Sequence, residues 1–140
     1  MARLELYSRR DGIVQKQSGL NWGFSNGNVC IDDACIAITN SFIINNPGFF
    51  PLAERTINVL WDDNTEMSCS IEGTQIINET TYPKQLTSAS DKSVIGVYLR
   101  RRMGIPSGQE IVMADLDNYG RRDVEIISIG NNKYTIDFSV

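Results

Sequence analysis

The sequence predicts a mainly β domain, an open or closed barrel with one or two short helices. Three observations carry this: apolar and polar residues alternate in several short runs, turn residues separate those runs at regular intervals, and only one segment has an extended helical repeat. A chain of 140 residues with no internal repeat, low-complexity tract or linker fits a single domain spanning 1–140. That length is enough to bury a core without disulfides or a metal.

The elements follow in order. Leu4 and Leu6 open a short strand, Ile36 and Ile38 mark another, and Ile57, Val59 and Trp61 a third. The turn Asp62-Asp63-Asn64-Thr65 leads into Met67, Cys69 and Ile71, so these two runs form a hairpin. Ile111 and Met113 suggest a further strand. Val124 and Ile126, then Gly130-Asn131-Asn132-Lys133, then Tyr134, Ile136 and Phe138 make a second hairpin. A helix begins near Ser90 or Asp91, repeats through Ile95, Leu99 and Met103, and stops at Gly104 and Pro106. A shorter helical turn fits Asn40 to Asn46, ahead of Pro47-Gly48. Two segments stay outside the barrel, the glycine-rich stretch 9–29 and the Thr/Asn/Gln-rich stretch 73–86; connections this long are usually functional or disordered.

Composition excludes much chemistry. There is no histidine, so Ser-His-Asp and Cys-His catalysis and paired-histidine phosphodiesterase centres are impossible. Cys30, Cys35 and Cys69 are an odd number without a CxxC, which argues against zinc or a disulfide framework and fits a reducing cytoplasm. Met1 to Arg10 carries three arginines and no apolar run, unlike a signal peptide, and no stretch approaches the length of a membrane span. The net charge of −4 disfavours nucleic acid on average, but the charge is uneven. Arg3, Arg9, Arg10 and Lys16 face only Glu5 and Asp11 in residues 1–30, whereas residues 31–80 hold eight acids against Arg55. Phosphate binding depends on the field within roughly 10 Å, so the average does not decide.

Several candidate sites have ordinary readings. Asp115-Leu-Asp-Asn-Tyr-Gly120 imitates a calcium loop, but Tyr119 and Ile126 stand where oxygen ligands are required, so a polar turn between strands is expected. Asp62-Asp63 with Glu66 lacks the further acid and lysine of a Mg²⁺ nuclease and reads as turn chemistry. Arg100-Arg101-Arg102 either offsets the helix dipole, at roughly 0.3–1 kcal/mol each, or grips phosphates; Arg121-Arg122 is open to the same two readings. Segment 9–24 is the strongest candidate. Arginine reads guanine and an amide reads adenine through paired hydrogen bonds, lysine and serine hold phosphates, and Gly19 and Gly23 would let the backbone approach its target. Trp22 would stack there or brace the segment.

These residues also carry a resemblance. LYSRRDGIVQKQSGLNWG (6–23), DDACIAI (32–38), FFP (49–51), VLWDDNTEMSCSIEG (59–73), VIGVYLRRRMGI (94–105), ADLDNYGRRDV (114–124) and KYTIDFSV (133–140) occur in order. Together they resemble the C-terminal B3-like DNA-recognition domain of NgoFVII-type restriction endonucleases. The resemblance implies a B3-like, seven-stranded open pseudobarrel with two short helices, shaped like a wrench. An N-arm (about 9–29) and a C-arm (about 73–87) would both enter the major groove of double-stranded DNA. It implies DNA contacts from Arg9, Arg10, Lys16, Ser18, Asn21, Trp22 and Gly23 on the N-arm. Gln75, Asn78, Thr80, Thr81, Tyr82 and Lys84 would contribute from the C-arm, and Arg100 and Arg102 from the long helix. Phe24 and Ser25 stand where the family has an amide and a basic residue. The acidic middle segment would face away from DNA.

The implied function is sequence-specific DNA recognition in bacterial restriction-modification, with no catalysis, cofactor or metal of its own. Its partners would be DNA and a phospholipase-D-like nuclease domain or subunit of the same restriction system, making this chain a separated or cut-down module, monomeric and cytoplasmic. The alternative reading, favoured by the acidic average, is a β-barrel protein-interaction or small-ligand-binding module; a carboxylate-only metal nuclease is a third.

Overall fold

The computed structural model describes residues 2–140. Seven strands form one sheet that curls into a barrel: β1 (Ala2–Glu5), β2 (Ile36–Ala37), β3 (Thr56–Trp61), β4 (Glu66–Glu72), β7 (Gln85–Ser88), β8 (Asp123–Gly130) and β9 (Lys133–Asp137). Their order is β1-β8-β9-β3-β4-β7-β2, antiparallel throughout except for β3 beside β9. The barrel stays open at one seam, where β1 and β2 lie side by side without a hydrogen-bonded ladder. A separate ribbon, β5 (Gln75–Ile77) with β6 (Thr80–Tyr82), projects between β4 and β7. Three helices complete the fold: α1 (Asn40–Asn45), α2 (Ser93–Met103) and α3 (Met113–Tyr119).

Alternation does what the pleat requires. Ile57, Val59 and Trp61 on β3, Met67, Cys69 and Ile71 on β4, and Val124, Ile126, Tyr134 and Ile136 on β8 and β9 all point inward and are buried. Each fully buried side chain of this kind contributes about 1.5–3 kcal/mol. Both hairpin turns use left-handed residues, Asn64 in the first and Asn131 with Asn132 in the second. Helix α1 starts where the Thr39 hydroxyl accepts the Phe42 N–H (3.1 Å), and it docks through Phe42 onto the aromatic group Phe49, Phe50 and Tyr134.

Two expectations fail. Ile111–Met113 is not a strand: Ile111 is buried as part of a loop and Met113 opens α3. The stretch 115–120 is therefore no turn. Met113, Leu116 and Tyr119 recur every three residues on the inner side of α3, and the Asp115 carboxylate accepts the Val112 N–H (2.8 Å) at its start. The seventh strand is instead β7, which has no alternation to announce it. Leu86, Thr87 and Ser88 are all buried, because both faces are covered: the Thr87 hydroxyl donates to Ala34 O (2.6 Å), and the Ser88 hydroxyl accepts the Ile95 N–H (3.0 Å) of α2.

The N-arm is anchored by buried polar groups. Gly19–Phe24 forms a short 3₁₀ segment whose Asn21 side chain is 0% exposed. Asn21 Nδ2 donates to Gln15 O (2.8 Å) and Ile111 O (2.7 Å), while its Oδ1 accepts the Ile111 N–H (2.8 Å). Further on, buried Asp32 meets buried Arg100 of α2 at 3.3 Å. Asp32 also accepts the Gly108 N–H (2.7 Å) and the Ser107 hydroxyl, and Arg100 Nε donates to Gln109 O (3.1 Å). The approach is so close that a Cβ on Gly96 would lie 1.7 Å from Asp32 O. Gly23 is likewise pressed beneath the chain, since a Cβ there would sit 2.7 Å from Cys30 O.

Asn21→Ala would strand the amide and carbonyl of Ile111, so we expect a loss of about 1–3 kcal/mol in urea unfolding, with the fold retained. Burial raises the thiol pKa of Cys35 to about 11 and that of Cys69 to about 12, while Cys30 is exposed. A thiol reagent at neutral pH should accordingly modify one cysteine per native chain and all three after denaturation.

Candidate nucleic-acid interface

The first part of the N-arm is a tight turn. Ser8 N donates to Ile13 O (2.8 Å) and Gly12 N to Ser8 O (2.8 Å), and buried Val14 anchors the return. The turn presents Arg9 and Arg10 with 78% and 89% of their side chains exposed. Arg9 Nη2 lies 3.3 Å from Glu5 Oε1 and Arg10 Nε 3.3 Å from Asp11 Oδ1. The hydrogen bond from Arg10, then that from the Ser8 hydroxyl, holds the Asp11 carboxyl below its ordinary pKa. Lys16 and Ser18 follow, both exposed.

The C-arm is the ribbon β5–β6. Its turn residues Asn78 (φ 49°) and Glu79 (φ 68°) are both left-handed, the geometry that suits the twist of a two-residue hairpin. Ile77 and Tyr82 pack toward the core, leaving Ile76 and Thr81, paired across the ribbon, on the exposed face with Asn78. Thr80 is half-buried opposite Ile77 and Lys84 is exposed. The Gln75 amide fixes the root, donating to Ile38 O and Pro83 O at 2.7 Å each.

Both arms are rooted at the same place. The N-arm returns to the barrel at the start of β2, whose two residues Ile36 and Ala37 pair with Leu86 and Gln85 of β7, and Gln85 also faces Glu72 at the end of β4. Lys92 joins the two arms: its Nζ lies 3.4 Å from Glu72 at the foot of the C-arm and 4.6 Å from the centre of the half-buried Trp22 ring on the N-arm. Helix α1 stands between them. On one side it borders a polar cleft of about 320 Å³ with Arg3 and Arg9, to which it contributes Ser41 and Asn45. On the other it borders an apolar hollow containing Tyr82, and Phe42 and Asn46 line both.

The sequence expectations divide accordingly. Arg9, Arg10, Lys16, Ser18, Asn78, Thr81 and Lys84 are available to a ligand. Asn21 is not, since its amide is consumed inside the protein, and Gly23 lies under Cys30 rather than against a target. Trp22 braces Lys92, and Gln75 has spent both amide hydrogens. Arg100 is 1% exposed. Arg102, 14% exposed, donates to Asp62 (2.8 and 3.1 Å), Tyr98 Oη (2.7 Å), Tyr119 Oη (3.1 Å) and Phe138 O (3.1 Å). It ties α2 to α3, to the β3–β4 turn and to the end of β9, with its guanidinium hydrogens directed to these partners. Of the triplet only Arg101 is exposed, and it lies over the Tyr98 ring. Arg121 pairs with Asp123 and Arg122 with Asp117.

The acidic middle segment does not share one face. Asp32 and Asp33 are buried at the N-arm base, Asp62 serves Arg102, Glu72 lies at the foot of the C-arm and Glu79 in its turn. The cleft also gathers Arg3, Ser41 and Asn45, which the sequence did not single out. The exposed position of Arg3 in an alternating strand was the only signal for it, and that of α1 was its polar composition. Among the described residues no group of three Asp, Glu, Cys or His is placed to hold a metal ion, and no helix is long and apolar enough to cross a membrane.

No curated protein matches this chain. The model of one protein family, the NgoFVII C-terminal B3-like DNA-binding domain, matches residues 2–130. A seven-stranded barrel open at one seam, bearing two arms rooted side by side, is the architecture expected of such a domain, and the chain belongs to this family of DNA-binding domains.

Proposed function

We propose that this DNA-binding domain reads a specific sequence of double-stranded DNA by inserting the Ser8–Ile13 turn and the β5–β6 ribbon into the major groove. In this reading it is the target-recognition part of a restriction endonuclease, and a separate nuclease domain or subunit cuts the strand. The observation that carries the proposal is the shared root of two polar projections flanking α1. A B-form major groove, about 12 Å wide, admits a two-stranded ribbon. Arg9 and Arg10 are the bidentate guanine readers, and Asn78 and Thr81 are the C-arm contacts to base edges. Lys16, Ser18 and Lys84 hold phosphates and set the register, joined by Arg3, Ser41 and Asn45 from the cleft beside α1. Trp22, Asn21, Gln75, Arg100 and Arg102 act by holding the arms and helices in place.

A target oligonucleotide can be selected from a random pool with the intact chain. Arg9→Ala or Arg10→Ala should then weaken binding to it by about 1–3 kcal/mol and relax the preference at one position. Unchanged affinity and preference for both variants in a gel-shift titration would refute the arm assignment. Between 50 and 200 mM salt the affinity of the native chain should fall as a straight line in log–log form, with a slope of about −0.9 per phosphate held. A flat line would exclude phosphate gripping, and heparin that failed to compete would favour a protein or small-molecule ligand instead.

A further inference from the structure

The two cations in the first turn of the N-arm are each accompanied by a carboxylate. Glu5, on the outward side of β1, is placed 3.3 Å from Arg9, and Asp11, inside the turn, is placed 3.3 Å from Arg10. The Arg9 and Arg10 side chains are 78% and 89% exposed, against 27% for Glu5 and 48% for Asp11, and surface ion pairs of this kind are weak enough to part easily. What does not disappear when they part is the negative charge. A phosphate that captures Arg9 or Arg10 brings its own charge to within a few ångströms of Glu5 or Asp11, well inside the screening length of roughly 10 Å. The N7 and O6 acceptors of guanine are uncharged, so a base edge meets far less repulsion. The carboxylates therefore penalise one mode of arginine binding more than the other.

We propose that Glu5 and Asp11 are specificity-determining residues that suppress non-specific phosphate binding by the N-arm and so reserve Arg9 and Arg10 for base edges. This rests on the reading of the N-arm given above. It also accounts for acidic residues placed within and beside a DNA-facing arm, where affinity alone would favour their absence. Lys16, which has no acidic partner among the described residues, is left to supply the phosphate contact that positions the arm.

The test compares the selected duplex with a random-sequence duplex of equal length, by fluorescence anisotropy from 50 to 200 mM salt. Glu5→Gln and Asp11→Asn keep size while removing the charge, and each retains one acceptor oxygen, which at position 11 can still face the Ser8 hydroxyl. Glu66→Gln, exposed at the opposite end of β4 from the C-arm, removes the same charge elsewhere. The double variant Glu5→Gln/Asp11→Asn should bind the random duplex about tenfold tighter and the selected duplex by less than threefold. Its salt slope on random DNA should steepen by about 0.9 for each arginine released to a phosphate. An equal gain on both duplexes, no gain on the random one, or the same gain from Glu66→Gln would overturn the proposal. If Arg9→Ala and Arg10→Ala are silent on both duplexes, the arm reading itself fails and this proposal goes with it.

Discussion

The buried pair of Asp32 and Arg100 is the constraint on which the N-arm depends. Neither side chain reaches water, so each must satisfy the other's charge and its remaining hydrogen-bonding positions from within the fold. Asp32 sits in the chain just before β2, Arg100 on α2, and the groups that complete them, Gly108 N, the Ser107 hydroxyl and Gln109 O, lie in the loop after α2. One ion pair thus locks three segments. It fits only because residue 96 has no side chain, and because Asp32 accepts a left-handed backbone at φ 68°. Removing either charge would leave the other stranded, which in comparable sites costs about 3–5 kcal/mol.

The two arms are stiffened by different physics. The N-arm has no ladder beyond the Ser8–Ile13 bridge, and side chains give it shape: Asn21 ties Gln15 within the arm to Ile111 in the loop before α3, and Trp22 lies under Lys92. The C-arm is held by its own backbone pairing and a two-residue turn. Both arrangements reduce the freedom a loop would otherwise lose on binding, where each immobilised side chain costs about 0.5–1.5 kcal/mol. They also concentrate tolerance at the tips, where exposed residues contribute little to the fold.

The electrostatics of the chain are local. Arginine is spent in two ways, inside the protein as a hydrogen-bond hub and outside as a ligand group. Arg102 is the hub between α2, α3 and the β3–β4 turn, and beside it burial pushes the Tyr98 hydroxyl to about 12, so that it remains a donor to Asp63 (2.9 Å). Arg9 and Arg10 lie at the other extreme, largely exposed and each matched by a carboxylate, Glu5 at the end of β1 and Asp11 in the same turn. A net charge of −4 is therefore compatible with DNA binding, because a duplex feels the residues at the arms within the screening length and not the sum over the molecule.

The sequence by itself determined the barrel. Six strands and two helices follow from the spacing of apolar residues, because a pleat repeats every two residues and a helix every three or four. It also marked the two arms, whose polar composition gives them no core to join. Strand β7 and helix α3 were not legible. Leu86-Thr87-Ser88 has no polar face because neighbours cover both sides, and the run from Met113 to Tyr119 is too short and acidic to show its inner face before the barrel supplies one. Only the tertiary structure decided which polar residues look outward. Asn21, Arg100 and Arg102 have the same composition signature as Arg9 and Arg10, but contacts from residues up to 90 positions away consume their hydrogen bonds. A linear chain records what a side chain can bind, and the fold determines whether that capacity is already used.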